Sequence, residues 1–236
     1  MYLGNRIGHH EIKLAQYDNF EQIVCVDLSE YRTAKAKEAA MEKGVDHKMQ
    51  FICTSIDTYE FEPEAFDIVY FHASLHHFEN VDRLLSESVR SCLKPHGCVI
   101  INEYVGPDRL QLPTHQIKAI NKGIQLIPKK FRTRFKSSTL KNKFYGSGYL
   151  RMIIADPSEC VDSKAILPSL HKHYDVITEK PYGGSLLMHI LKDISHHFIV
   201  LNPETKAVLD ELFILEDTYM NTYSSDFVFG IYQKRM

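Results

Sequence analysis

Short apolar runs separated by helix-forming segments fill the first hundred residues and constrain the fold most strongly. Residues 22–27 (QIVCVD), 50–54 (QFICT), 66–71 (FDIVYF) and 98–102 (CVIIN) are almost continuously apolar. Strands that are apolar on both faces and alternate with helices predict a parallel sheet covered on both sides. Because crossovers between parallel strands are right-handed, the pattern indicates a doubly wound α/β sheet.

The segments between these runs carry helix signals. Ser29 is a suitable N-cap for a helix over about residues 30–43, which ends at Gly44, and helical spacing of apolar residues predicts a helix over 81–93. The remaining predicted elements are helices over residues 114–127, 157–171, 186–198 and 203–219 and strands over 174–179 and 226–233, the last of them antiparallel. We therefore expect a single domain, residues 1–236, with helical insertions at residues 104–155 and 183–225.

Composition excludes several classes of protein. No window approaches 18 consecutive apolar residues, and no basic segment followed by an apolar one opens the chain. The sequence therefore predicts neither a membrane span nor a secretory signal. The five cysteines are odd in number and lack C-x-x-C spacing, which argues against a zinc or disulfide framework. We expect a cytoplasmic protein with no membrane partner and no bound metal.

Positive charge is concentrated in the middle of the chain. Residues 104–151 contain eleven Lys and Arg residues and one acid, although the formal net charge of the whole chain is −2. Residues 129–143 alone hold seven bases and no acid. One interpretation is a solvated loop, and the other is an anionic partner. A small anionic ligand is favoured over RNA, because no RNA-binding module is present.

Polar residues and glycines follow the predicted strands at the edge where open parallel sheets bind ligands. Gly4 and Gly8 lie in a turn before a helix, and Asp27 ends the next strand about twenty residues later. Glycine lets the backbone approach a ligand closely, and a carboxylate at a strand end can accept from both hydroxyls of a ribose. This spacing predicts a nucleoside-binding site.

The order of five sequence blocks resembles the class I S-adenosylmethionine-dependent methyltransferases, in the branch that acts on small molecules. The blocks are LGNRIGHHEIKLA (3–15), VCVDLSE (24–30), FICTSID (51–57), FDIVYFHASLHHF (66–78) and LKPHGCVIINEYVGP (93–107). The resemblance covers residues 1–103. It implies a Rossmann-like methyltransferase fold, S-adenosylmethionine as the cofactor and methyl transfer to a small-molecule acceptor.

The resemblance also implies which residues hold the cofactor. These are Gly4 and Gly8 beside its methionine part, Asp27 at the ribose, Leu28, Ile56 and Asp57 at the adenine, and Phe71 and His72 beneath the cofactor at the end of the fourth strand.

The sequence departs from the family pattern in two places. Arg6 stands in the middle of the loop where the family has glycine, and only Met1, Tyr2 and Leu3 precede Gly4, so we expect a chain that is short at its N-terminus. A non-catalytic scaffold that keeps the fold but has a degraded donor site is therefore the alternative interpretation. Such a scaffold would bind a partner through the basic segment.

Three residues are candidates for catalysis. His76 and His77 follow the fourth strand in an LHH sequence that is frequent in the family. A histidine with a pKa of about 6.5 can remove a proton from an acceptor hydroxyl. Glu103 ends the fifth strand, at the position that faces the acceptor in the family.

Three further residues are candidates for binding the acceptor. Tyr104 follows Glu103, Arg109 can clamp a carboxylate or phosphate, and Gln111 can form neutral hydrogen bonds. Together these residues predict O- or N-methylation of a small anionic molecule, such as a phosphorylated or nucleotide-linked sugar. RNA methylation is a further alternative. The sequence does not determine the oligomeric state.

Overall fold

The computed structural model describes residues 1–4, 9–56 and 59–235. Within these ranges seven strands form one sheet in the order β3-β2-β1-β4-β5-β7-β6. The strands are β1 (Tyr2–Gly4), β2 (Ile23–Asp27), β3 (Met49–Cys53), β4 (Phe66–His72), β5 (Leu93–Tyr104), β6 (Tyr174–Pro181) and β7 (Phe227–Lys234). Strands β1 to β5 are parallel, and β7 runs antiparallel between β5 and β6. The predicted fold class is confirmed: a doubly wound, mostly parallel sheet with an antiparallel last strand.

Helices connect the strands and fill the segment after β5. In the described ranges they are α1 (His9–Ala15), α2 (Glu30–Glu42), α3 (Val81–Leu84), α4 (Arg90–Cys92), α5 (Thr114–Leu126), α6 (Tyr149–Ala155), α7 (Ile166–His173), α8 (Leu187–Leu191) and α9 (Pro203–Met220). A π-helical turn over Leu85–Val89 joins α3 to α4. Every helix of the described ranges is too short or too polar to cross a membrane.

Side chains of the central strands alternate between two cores. Val69 and Phe71 of β4 are fully buried against α3 and α7, in the core of one face of the sheet. Tyr70 lies between them in sequence and packs on the opposite face, in the core of α1 and α2. Helices therefore cover both faces, which explains why β4 is apolar at nearly every position.

The two segments predicted to be insertions pack on each other through a third core. Its buried residues come from α5, α8, α9 and the turns beside them: Leu112, Ile120, Ile124, Ile127, Leu186, Ile190, Ile194, Phe198, Val208, Leu212 and Tyr219. The start of α9 is fixed by Asn202, whose side chain accepts from the N–H groups of Glu204 and Thr205, both at 3.0 Å.

Two predicted helices are shorter in the structure. The helix predicted over residues 157–171 begins only at Ile166, because Asp156 accepts hydrogen bonds from the backbone N–H and the hydroxyl of Ser158, at 3.0 and 2.7 Å, and so forms a turn. The helix predicted over residues 186–198 ends at Leu191, because Asp193 adopts a left-handed conformation with φ +68°.

Gly106, just after β5, occupies a position that has no space for a side chain. A Cβ atom there would lie 2.6 Å from the Tyr104 hydroxyl and 2.7 Å from Cγ of the buried Asp226. We expect Gly106→Ala to lower the free energy of unfolding by about 2 kcal/mol and the melting temperature by roughly 4–8 °C, because the core must move apart. Thermal denaturation followed by circular dichroism measures both.

The matched control for this prediction is the pair of variants Tyr104→Phe and Tyr104→Phe/Gly106→Ala. Removing the hydroxyl should recover part of the lost melting temperature in the double variant. A single Gly106→Ala variant that melts with the parent protein would contradict the packing argument.

Candidate functional site

A cavity of about 560 Å³ opens at the carboxyl ends of β2, β3 and β4. It is lined by residues 26–28 and Arg32, residues 54–56, Ser74 with residues 77–79, and Asp156, Ser158 and Glu159. Its volume lies within the range of roughly 300–1,000 Å³ that is usual for small-molecule sites. The location is the one at which open parallel sheets bind ligands.

Asp27 stands at the entrance from the β2 side. Its Oδ1 accepts a hydrogen bond of 2.7 Å from the N–H of Ser29, and its Oδ2 lies 3.9 Å from the guanidinium of Arg32. Leu28 beside it is 73% exposed, whereas Ile56 is buried at the wall of the same cavity. The structure therefore brings three of the predicted cofactor residues together.

Three other predicted cofactor residues cannot be assigned to the cavity wall. Gly4 ends β1 in register with His72, while Gly8 and Asp57 lie outside the described residues, as does Arg6. Their predicted roles stay predictions.

Phe71 and His72 do not line the cavity. Phe71 is fully buried in the core, with its ring centroid 6.3 Å from that of Phe78, because its side chain points to the helix-covered face of β4. That Phe71 and His72 lie beneath the cofactor stays a prediction. His72 points to the other face, where its Nδ1 lies 3.3 Å from the Tyr70 hydroxyl and 3.2 Å from the Asn102 amide.

Glu103, near the end of β5, binds the turn that follows β4. Its Oε1 accepts hydrogen bonds from the N–H groups of Ser74 and Leu75, at 2.6 and 2.8 Å. Its Oε2 lies 2.7 Å from Nδ1 of His76. The side chain has no exposed surface, and both of its oxygens are engaged. Glu103 therefore positions the turn and His76, and its predicted catalytic role stays a prediction.

The two adjacent histidines have opposite pKa shifts. Burial alone would lower the pKa of His76, but the hydrogen bond and the negative charge of Glu103 outweigh it and raise this pKa above its ordinary value. Burial, followed by the positive charge of His76, lowers the pKa of His77. The two ring centroids are 4.3 Å apart. His77, the member of the pair whose pKa is lowered, is the one that lines the cavity.

Residues after α6 orient His77. The Ser158 hydroxyl donates to Oδ1 of Asp156 at 2.7 Å and lies 3.1 Å from Nδ1 of His77. Because its single proton goes to Asp156, Ser158 accepts from His77, which assigns the ring proton to Nδ1. The lone pair is then on Nε2, which is 3.9 Å from Oε2 of Glu159. Asp156, Ser158 and Glu159 had no predicted role in binding or catalysis, although the sequence Asp-Pro-Ser is a turn signal.

The three residues predicted to bind the acceptor have structural partners instead. The hydroxyl of Tyr104 donates to the carbonyl of Pro107 at 3.0 Å. The guanidinium of Arg109 donates to the carbonyls of Pro157 and Glu159, so it holds the segment after α6 rather than an anion. Gln111 donates to the carbonyl of Arg109 at 2.7 Å. These residues support the cavity wall indirectly, and their predicted contacts with an acceptor stay predictions.

Part of the basic segment 129–143 is also engaged within the chain. Lys130 pairs with Glu204 at 2.6 Å and Arg134 with Asp193 at 2.5 Å. Lys141 is buried and donates to the carbonyls of His189 and Lys192, both at 2.6 Å, and burial lowers its pKa to about 8. These contacts fasten the segment to the helices of residues 183–225.

Among the residues that the structure describes, two overlapping groups of side chains could ligate a divalent cation. They are His76, Glu159 and Cys160, and His77, Asp156 and Glu159, whose ligand atoms lie within 4.8 Å of one another in each group. Several of these atoms already have partners: Cys160 Sγ donates to Glu159 at 3.4 Å, and Asp156 accepts from Ser158. The expectation of no bound metal stays a prediction.

Comparisons with known proteins agree with this geometry. Residues 3–101 match the family described as "Methyltransferase domain". The Sterol 24-C-methyltransferase of Candida albicans is 28% identical over 124 residues, which are 51% of this chain and 33% of that protein. The tRNA 5-carboxymethoxyuridine methyltransferase of Escherichia coli is 32% identical over 102 residues, 43% of this chain and 38% of that protein. The chain thus spans little more than a third of the length of these curated relatives.

The solved structures extend the likeness of fold beyond the matched segment. Geranyl diphosphate C-methyltransferase from Streptomyces coelicolor has a TM-score of 0.60 and 10% identity to this chain, covering 99% of it and 72% of that chain. The sheet order and the cavity at the strand ends are those of the Rossmann-like methyltransferase fold. Residues 3–101 therefore match a methyltransferase domain, and the chain shares the fold of solved S-adenosylmethionine-dependent methyltransferases. The methyl donor of this class is S-adenosylmethionine.

Glu103→Gln tests the anchoring role of Glu103. We expect the pKa of His76 to fall, because a neutral amide replaces the charge, and this is measured by NMR titration of the ring. A raised pKa in the folded state gives stability that is complete below the unfolded value of about 6.5 and is lost as pH rises through the folded value. The variant should therefore lose more unfolding free energy at a pH of about 6 than at about 9.

The control for this prediction is Glu87→Gln, which changes an exposed carboxylate paired with Arg83 on the helix surface. It should leave the pKa of His76 unchanged. If Glu103→Gln also leaves that pKa unchanged, the anchoring role is wrong.

Proposed function

We propose that this protein transfers the methyl group of S-adenosylmethionine to a hydroxyl or amino group of a small molecule, with His77 as the general base. The observation that carries the proposal is that Asp27 and His77 line one cavity at the ends of β2 and β4. The carboxylate of Asp27 suits the ribose of a nucleoside, and the imidazole of His77 suits a proton transfer. Because the chain covers only part of its relatives, the activity is inferred from its own residues.

The β2–β3 side of the cavity fits the nucleoside part of the cofactor. Asp27 is held at its Oδ1 by Ser29, so that its carboxylate edge is fixed toward the cavity and can accept from ribose hydroxyls. Leu28 and Ile56 supply apolar surfaces for the adenine ring. When bound, the cofactor supplies a methyl group on a positively charged sulfur, which makes that carbon electrophilic.

His77 is suited to accept the proton of the acceptor. Its lowered pKa keeps it neutral at pH 7, and the Ser158–Asp156 pair holds the lone pair on Nε2. As the bond from the acceptor to the methyl carbon forms and the bond to sulfur breaks, the acceptor's proton passes to Nε2. His76 keeps its own proton through Glu103 and fixes the turn. Alignment of the two reactants supplies most of the rate.

The proposed acceptor is not restricted to anionic molecules, although the sequence analysis predicted an anionic one. Arg109, the predicted anion clamp, donates to backbone carbonyls, and several bases of the segment 129–143 pair within the chain. The names of the two relatives above refer to a sterol and to a tRNA uridine, so their acceptors differ widely in charge.

Asp27→Asn tests the donor site. We expect the variant to bind S-adenosylmethionine and S-adenosylhomocysteine about 10- to 100-fold more weakly, because hydrogen bonds to a charged group contribute roughly 1.5–3 kcal/mol. Isothermal titration calorimetry measures the dissociation constants. Asp67→Asn, which removes a carboxylate at the opposite end of the sheet, is the matched control and should bind normally. A parent protein that binds neither compound at millimolar concentration would instead favour the non-catalytic scaffold.

His77→Gln tests the base. We expect kcat to fall about 10²- to 10⁴-fold with little change in cofactor affinity. In the parent protein, kcat should rise with pH through the lowered pKa of His77 and be level above neutrality, and the variant should lack this rise.

The assay for this variant follows the release of S-adenosylhomocysteine in the presence of pools of sterols, quinols and modified uridines. His171→Gln, at an exposed histidine paired with Glu179, is the control and should keep the parent profile. A His77→Gln variant with unchanged kcat would exclude His77 as the base.

A further inference from the structure

Helix α6 presents an apolar face to solvent. Tyr149, Leu150, Ile153 and Ile154 are 56%, 73%, 36% and 83% exposed. These positions span about 140° of the helix circumference, so they form one continuous stripe. A stripe of this kind normally faces a core. On α6 no residue is buried.

The chain around this stripe is rich in exposed bases. No acid occurs between Asp108 and Asp156, a stretch that includes all of α5 and α6. Among the described residues, six exposed bases in this stretch have no carboxylate partner within ion-pair distance: Lys118, Lys122, Lys129, Lys136, Lys143 and Arg151. Arg151 is on α6 itself, and Lys143 precedes the helix by six residues.

Hydrogen bonds join α5 to the segment that leads into α6. Asn121 of α5 donates to the carbonyl of Phe144 at 2.9 Å, and its Oδ1 accepts from the N–H of Phe144 at 2.8 Å. Lys122 is at the next position of α5, and Lys143 directly precedes Phe144. Lys143 lies 5.1 Å above the ring of Tyr145, an aromatic residue that is itself 81% exposed.

We propose that α6 and the bases around it form a docking surface for a lipid bilayer with anionic headgroups, an interaction that goes beyond the proposed methyl transfer. Apolar side chains on one face with cations at its edges are the composition of helices that lie in the membrane interface. Leu150, Ile153 and Ile154 enter the boundary between headgroups and acyl chains. Arg151 and Lys143 reach the phosphates, as long basic side chains do at such boundaries.

RNA explains fewer of these observations. A phosphate backbone would pair with the bases, but exposed aliphatic side chains gain nothing from it, because bases stack on aromatic rings and on guanidinium planes. The stripe is aliphatic at three of its four positions. A bilayer accounts for the charge and for the stripe together.

The position of α6 relates this surface to the cavity. The helix ends at Ala155, and the next residue, Asp156, lines the cavity. A protein docked through α6 therefore holds the wall of its cavity close to the lipid surface.

Co-sedimentation with vesicles tests the proposal on the full chain. We expect binding to phosphatidylcholine vesicles that contain phosphatidylglycerol, little binding to phosphatidylcholine alone, and weaker binding as salt increases. Lys143→Gln/Arg151→Gln should lower the partition coefficient about 30-fold, roughly fivefold for each cation. Leu150→Ser/Ile154→Ser should lower it more than about tenfold, because the apolar insertion is lost.

The matched control is Ile199→Ser/Val200→Ser, which changes two aliphatic residues that are 77% and 79% exposed but follow the 3₁₀ turn of residues 195–198 rather than α6. It should bind vesicles as the parent does. Circular dichroism and calorimetry with S-adenosylhomocysteine on every variant separate loss of docking from loss of fold or of the donor site.

Three outcomes would overturn the proposal. The first is that the parent protein does not bind anionic vesicles. The second is that Ile199→Ser/Val200→Ser lowers vesicle binding as much as Leu150→Ser/Ile154→Ser does. The third is displacement by tRNA together with normal vesicle binding of Leu150→Ser/Ile154→Ser, which would identify the surface as an RNA site. None of these outcomes depends on methyl transfer. A failure of the docking proposal can therefore be distinguished from a failure of the proposed function.

Discussion

The buried carboxylate of Glu103 is the interaction on which the rest of the site depends. It joins the end of β5 to the turn after β4 through two backbone N–H groups and the His76 ring. A buried charge is costly unless its hydrogen bonds are complete, and here they are. The same contact raises the pKa of His76, while burial, followed by the positive charge of His76, lowers the pKa of His77. One residue therefore fixes both the shape and the electrostatics of the turn.

The second wall of the cavity is contributed by a distant part of the chain. Arg109, after β5, reaches the carbonyls of the segment after α6 and holds Asp156 and Ser158 against His77. The segment after the predicted insertion therefore supplies groups that select the tautomer of a histidine in the turn after β4. Helix α6 leads directly into this segment, so the proposed donor cavity, base and docking surface are connected through residues 155–159.

The sequence analysis placed several site residues by their type and their position alone. Glu103 and Tyr104 end β5 and Arg109 follows it, and all three are chemically suited to bind an acceptor. In the structure each is engaged with backbone or a neighbouring side chain, because a polar group that becomes buried must find a partner nearby. Phe71 packs in the core, since side chains alternate along a strand and the periodicity does not say which face borders the ligand. The predicted roles of these residues stay predictions.

The sequence by itself determined the sheet, its parallel order and the acid at the end of β2, because these follow from local periodicity and from the handedness of crossovers. It also indicated the family, from blocks that lie within one continuous stretch of chain. Only the tertiary structure decided which of two adjacent histidines lines the cavity, and that residues 156–159 face it. Those facts depend on contacts between residues about eighty positions apart, as between His77 and Ser158, and no local pattern encodes such a contact.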